Sequence, residues 1–102
     1  MIDIVLCCAA GLSTSMLMSE MIDAAKKRKM DLKIEAIPES NLHKREPLPD
    51  IILLGPQLSY CLDDLKSTYE PKGVRVAAIN MMDYGMLDGN AVLDMVSKMK
   101  GE

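Results

Sequence analysis

Tryptophan and phenylalanine are absent from the 102 residues, which leaves three tyrosines as the whole of that aromatic class. Core volume must therefore come from aliphatic side chains and from ten methionines, whose flexible thioethers fill irregular gaps. Cysteine is scarce too. Three of them, an odd number without metal-ligand spacing, argue against a disulfide framework or a zinc cluster and leave reduced thiols as the default. No apolar run approaches the roughly 20 residues needed to cross a bilayer, and no charged segment leads into an apolar one at the start, so a cytoplasmic protein without membrane insertion is expected. A cationic surplus is also missing: 12 Lys and Arg stand against 15 Asp and Glu, for a formal charge of −3. Neither nucleic acid nor anionic lipid is thus offered a general electrostatic hold. Repeats, low-complexity tracts and Gly/Ser-rich linkers do not occur, and one compact domain over 1–102 is expected.

The elements that remain alternate. Residues 2–7, IDIVLC, are apolar and β-branched with little polar alternation, as in a strand covered on both faces. From Thr14 or Ser15, Leu17, Met18, Met21, Ile22, Ala24 and Ala25 recur at helical spacing, and Lys26, Lys27, Arg28 and Lys29 close the run where the helix dipole favours cations. A second strand, Leu32 to Ile37, alternates in polarity and suits a sheet edge, with Pro38 stopping it. Residues 39–49 leave room for one helical turn at most before DIILLG (50–55), an apolar central strand. Leu58, Cys61, Leu62 and Leu65 mark a helix from near Gln57, Val74 to Ile79 a fourth strand, and Val92, Met95, Val96 and Met99 a last helix. Such alternation predicts an α/β sandwich on a parallel sheet, with its ligand site at the carboxyl ends of the strands. Three segments should meet there: Cys8 to Ser15, Gly55 to Gln57, and Asn80 to Gly89.

The first of these has the residue types of an anion cradle. A strand-to-helix turn aims backbone N–H groups at one point, and the helix N-terminus adds the positive end of its dipole. Ala9, Ala10 and Gly11 let the backbone approach a phosphate, with Gly11 free to take a positive φ; Ser13, Thr14 and Ser15 can cap the helix or donate to phosphate oxygens. In that positive potential the thiolate of Cys8 is favoured, and the thiolate is the reacting form. A strand-ending cysteine that merely packs fits the pattern equally well. Cys7, facing the other side of the strand, and Cys61, on the apolar stripe of its helix, read as core.

Cys8, Ala9, Ala10, Gly11, Leu12, Ser13, Thr14 and Ser15 together resemble the phosphocysteine loop of enzyme IIB components of the phosphoenolpyruvate-dependent sugar phosphotransferase system, in the lactose and cellobiose (chitobiose) family. IEAIPES (34–40), DIILLGPQLSY (50–60) and YGMLDG (84–89) resemble further segments of that family, in order and at similar spacing, while Leu42 to Pro49 matches least and Cys7 is a local departure. The resemblance implies a three-layer α/β sandwich with a four-stranded parallel sheet in order 2-1-3-4, helices on both faces, and Cys8 at the end of the first strand. It further implies that Cys8 takes a phosphoryl group from a histidine of the IIA component. Cys8 then yields it to a sugar, a β-linked disaccharide, carried by the membrane component IIC, with no metal or cofactor. A small carrier that docks on two partners in turn is expected to be monomeric.

Two other functions are to be weighed. Low-molecular-weight tyrosine phosphatases carry an arginine six residues after the cysteine, where this chain has Thr14, and their general acid comes from an Asp-Pro pair that is absent here. A regulatory phosphate-binding module would not need the sulfur at all. Gln57, Tyr60, Tyr84 and Asp88 lie on segments expected to border the loop, with Tyr84 or Asp88 more apt to order its own turn than to touch phosphate. His43, between Pro38 and Pro47 among charged neighbours, reads as a surface histidine, and Lys26 to Lys29 as a solvated helix end that could help an acidic partner dock. Met16, Met81, Met82 and Met86 are candidates for an adaptable docking surface.

Overall fold

The computed structural model describes residues 1–8 and 11–100, with the backbone alone at 8 and 11–14. Its centre is β1 (Ile2–Cys8), which pairs in parallel with β2 (Leu32–Pro38) on one side and β3 (Ile51–Leu54) on the other; β4 (Arg75–Ala78) pairs with β3. The order β2-β1-β3-β4 puts β1 and β3 inside the sheet and the alternating β2 at an edge, as their patterns predict.

Both faces of the sheet are covered, because successive strand side chains point opposite ways. Ile4, Leu6, Ile51 and Leu53 face one core, built with Leu17 and Met21 of α1 (Gly11–Arg28) and with Val92, Leu93 and Val96 of α4 (Gly89–Met99). Val5, Cys7, Ile52 and Leu54 face a second core, which Leu42, Leu58 and Tyr69 complete from the side of α2 (Leu62–Tyr69). Cys7 is buried, as expected, and Cys61 packs half-buried against the same core. No helix among the described residues is long and apolar enough to cross a membrane.

Helical boundaries depart from expectation in four places. Helix α1 opens at Gly11, not at Thr14 or Ser15, so Ser13 to Ser15 belong to its first turns. Glu39–Lys44 forms a six-residue 3-10 segment, which at three residues per turn exceeds the single turn allowed for. Pro56–Cys61 likewise winds as 3-10 before α2 begins, with proline at its first position, where the missing N–H costs nothing. A short helix not foreseen, α3 (Met81–Gly85), follows β4.

Helix α1 ends as its cations suggest, with Lys26, Lys27 and Arg28 in the last turn. Lys29 then takes φ 58°, and the Met30 N–H reaches back to the Ala25 carbonyl at 2.9 Å, closing the helix with a left-handed residue. Arg28 clamps α1 to α4 through Asp94 (2.9 Å) and through the backbone and side-chain oxygens of Asn90. At the other end of this contact α4 presses its first residue on the α1 backbone: a Cβ on Gly89 would lie 2.6 Å from the carbonyl carbon and oxygen of Glu20 and 2.8 Å from the Met21 nitrogen.

The amino edge of the sheet is tied by Arg45, whose side chain is only 8% exposed. Its guanidinium donates to both Asp3 carboxylate oxygens (2.7 and 2.9 Å), to Glu35 Oε2 (3.0 Å) and to the Pro47 carbonyl. These partners, the Asp3 hydrogen bond first, raise its pKa. The Asp3 N–H in turn donates to Asp50 Oδ2 at 2.9 Å, so β1, β2 and the approach to β3 converge on one cation.

Two substitutions test these contacts by urea denaturation. Gly89→Ala is expected to lower stability by about 2 kcal/mol, overpacking against backbone outweighing the gain in helix propensity. Arg45→Ala is expected to cost about 2 kcal/mol, less than for a fully buried pair because Asp3 and Glu35 keep some solvent.

Candidate functional site at the carboxyl edge

Register brings the strand ends into one row. Cys7 lies opposite Leu54 and Leu54 opposite Ala78, so Cys8, Gly55 and Ile79 follow side by side at the carboxyl edge, with Pro38 paired to Cys8 across β2. The row is held by the Gly55 N–H donating to the Cys7 carbonyl and the Ile79 N–H to the Leu54 carbonyl, both at 2.8 Å. Cys8 thus ends a central strand, as its sequence pattern predicts.

Helix α1 starts at Gly11, after a two-residue connection. The first four N–H groups of a helix lack intrahelical acceptors, and the 18 residues of α1 align their peptide dipoles behind them. Beside the end of β1 this is an arrangement for receiving an anion. Ala9 and Ala10, and the side chains of Cys8, Gly11, Leu12, Ser13 and Thr14, lie outside the described residues; Ser15 is exposed on α1. Gly11, as a helical residue, has no need of the positive φ considered for it.

Charge around this edge is one-sided in a way that composition alone hides. None of the 12 Lys and Arg falls within residues 9–25, 55–65 or 79–97, which include all three segments leaving β1, β3 and β4. An anion bound here would rest on amides and hydroxyls rather than on a guanidinium clamp. Arg45, the buried arginine, serves the opposite edge.

The β3 and β4 exits build the neighbouring wall. Gly55 accepts the Leu58 N–H at 2.9 Å, which turns the chain into its 3-10 segment. Asn80 caps α3: its Oδ1 accepts the Asp83 N–H at 2.8 Å and its Nδ2 donates to Asp83 Oδ2 at 2.9 Å. Asn-Met-Met-Asp at 80–83 is a capping-box pattern, and that signal could have revealed α3 from sequence. Between the two exits lies a cavity of about 280 Å3 lined by Pro56, Gln57, Met81, Tyr84 and Gly85. Gln57 and Tyr84 thus share one cavity wall, Tyr84 buried and Gln57 exposed. Tyr60 stands exposed on the β3 exit, its hydroxyl pKa raised by the hydrogen bond with Cys61.

Asp88 does not join them. Its Oδ1 accepts the Ala91 N–H at 3.0 Å as the cap of α4, and it lines a different cavity with Glu20, Asp23 and Lys27 of α1. Glu20 lies nine residues beyond Gly11, about 13 Å along the axis at 1.5 Å per residue. The turn-ordering role is the one the structure supports. His43 is exposed in a cleft with Pro47, Leu48, Thr68, Tyr69 and Lys72, none of which lines the edge.

Residues 3–95 match the family described as PTS system, Lactose/Cellobiose specific IIB subunit. The chain is 39% identical over 95 residues to the galactose-specific EIIB component of Lactococcus lactis subsp. cremoris (strain MG1363), spanning 88% of each chain. It is 33% identical over 86 residues, 84% of each chain, to the oligo-beta-mannoside-specific EIIB component of Bacillus subtilis (strain 168). The solution structure of a cellobiose-specific phosphotransferase IIB component protein from Borrelia burgdorferi superimposes with a TM-score of 0.72 at 38% identity, covering 91% of this chain and 85% of the other. The lactose-specific IIB component domain from Streptococcus pneumoniae shares the fold, with a TM-score of 0.84 over 95% of both chains at 18% identity.

If Asp88 acts as a cap, Asp88→Ala should cost about 1 kcal/mol in urea denaturation, whereas Asp88→Asn, which keeps an accepting oxygen, should stay within about 0.3 kcal/mol.

Proposed function

The chain belongs to the lactose/cellobiose-specific IIB family of the sugar phosphotransferase system, and from that premise we propose that it is a cytoplasmic, monomeric phosphocarrier acting as one domain with Cys8 as its phosphoryl-bearing residue. The observation that carries the reading is the position of Cys8 at the end of a central strand, two residues before the N-terminus of an 18-residue helix, on an edge whose exits from β1, β3 and β4 contain no Lys or Arg.

In the first step the Cys8 thiolate attacks the phosphorus of a phosphohistidine on IIA, the S–P bond forming as the P–N bond breaks and the imidazole leaves. In the second, a hydroxyl of the sugar held by IIC attacks the same phosphorus. The S–P bond breaks, the hydroxyl gives up its proton and the thiolate is restored. Amides at the start of α1 stabilise both the thiolate and the phosphoryl oxygens. The absence of a fixed arginine matters here, because a bidentate guanidinium would stabilise phosphoryl transfer to any acceptor, water included. A carrier gains from leaving that stabilisation to its partner. Relatives named for cellobiose and for oligo-beta-mannoside, both β-linked saccharides, favour a β-linked disaccharide as the acceptor, and a third is named for galactose, a monosaccharide.

Incubated with phosphoenolpyruvate, the two general phosphotransferase proteins and a cognate IIA, the protein should gain the mass of one phosphoryl group. Cys8→Ser should abolish the gain and Cys7→Ser should keep it. Rapid hydrolysis of aryl phosphates through Cys8 would replace the carrier reading with a phosphatase one.

A further inference from the structure

Among the described residues, seven large apolar side chains are exposed, and five of them stand on segments leaving the carboxyl edge: Met16 after β1, Tyr60 after β3, and Met81, Met82 and Met86 after β4. Met81, Met82 and Met86 are 79%, 72% and 73% exposed, while Tyr84 between them turns inward. Helix α3 thus spends its inner face on the core and shows thioethers to solvent. Exposed apolar surface gathered on one edge marks an interaction site, and methionine is the side chain that adapts best to a partner.

Charge says what kind of partner. Residues 9–25, 55–65 and 79–97, the stretches in which these five lie, carry no Lys or Arg, yet Asp63, Asp64 and Asp83 lie among them. Acidic residues flank the apolar ones along the chain, Asp83 among the α3 methionines and Asp63 and Asp64 one turn beyond Tyr60, an acidic rim that Lys27 meets at the cavity it shares with Met86. A sugar is a poor occupant, since thioethers offer its hydroxyls almost no hydrogen bonding. An anionic lipid surface is repelled. The complement is a protein face with apolar residues ringed by Lys and Arg, which is what the cytoplasmic loops of a membrane protein present under the positive-inside rule.

Building on the phosphocarrier reading above, we infer that the Met81, Met82 and Met86 face of α3, with Tyr60 and the acidic rim, is the docking surface for the basic cytoplasmic loops of the membrane component. Phosphorylation deepens the complementarity. A phosphoryl group on Cys8 adds about −1.5 to −2 of charge to an edge that holds no Lys or Arg on its β1, β3 and β4 exits. The loaded carrier binds the basic loops more tightly than the empty one, so transfer of the group to sugar also releases the carrier.

The test uses the full chain and inverted vesicles from cells overproducing the membrane component, against vesicles without it. Co-sedimentation is measured beside the rate of Cys8 phosphorylation by IIA. Wild-type protein should bind only the vesicles that contain the membrane component, several-fold more tightly when phosphorylated, and lose that binding as salt rises from about 0.05 to about 0.5 M. Met82→Ser/Met86→Ser should weaken binding at least about tenfold more than it slows phosphorylation, which itself reports that the variant is folded. Asp63→Lys/Asp64→Lys should weaken binding several-fold. The inference is overturned if both vesicle types bind alike, if the methionine variant slows phosphorylation by IIA instead, or if neither variant changes binding. Failure of wild-type protein to accept phosphate from IIA would bring down the carrier reading itself, a result separate from any of these.

Discussion

Burial of β1 and β3 on both faces is the constraint on which the rest of the structure depends. A parallel strand inside a sheet has its backbone bonded on both edges and its side chains covered above and below, so it has no lateral freedom. The only open parts of such strands are their ends. Cys7 and Leu54 lie opposite each other, and one residue further on the chain leaves the sheet at Cys8 and Gly55. The position of Cys8 is thus set by packing that has nothing to do with phosphorus.

The two edges of the sheet divide the labour of charge. The amino edge gathers Arg45, Asp3, Glu35 and Asp50 into a compact ionic knot that ties three segments together. The exits of β1, β3 and β4 at the carboxyl edge hold no cation. A buried guanidinium beside the sulfur would add a permanent bidentate partner for the phosphoryl group, and the carrier would share the electrostatics of a hydrolase. Amides at a helix start supply positive potential of a milder kind, without a bidentate geometry of their own. The same absence makes the edge acidic and apolar, which suits partners that bring their own cations.

Helices that pack on the first core differ in how tightly they are held. Arg28, through Asn90 and Asp94, and the close approach at Gly89 lock the first half of α4 to α1. Five-residue α3 is anchored by its Asn80 cap and the inward Tyr84 and shows its methionines to solvent.

Much of this is legible in the order of the residues. Two-sided apolar runs in 2–7 and 50–55 identify the central strands, alternation in 32–37 identifies an edge, and the loop at Cys8 shows its chemistry in small and hydroxyl residues followed by a helix. Those signals are local: periodicity and turn chemistry depend on neighbours in the chain. What pattern misjudges depends on contacts across it. Asp88 faces α1 instead of the cysteine edge because Gly89 draws α4 onto the Glu20 backbone. Arg45, in the stretch that resembles the family least, ends up buried because carboxylates from two strands converge on it. The chain by itself determined which strands are covered and where a thiol could meet a helix start, since one-dimensional pattern encodes burial. Tertiary structure alone decided which side chains share a wall and that three cation-free stretches leave the sheet at one edge, because those are properties of surfaces assembled from distant segments.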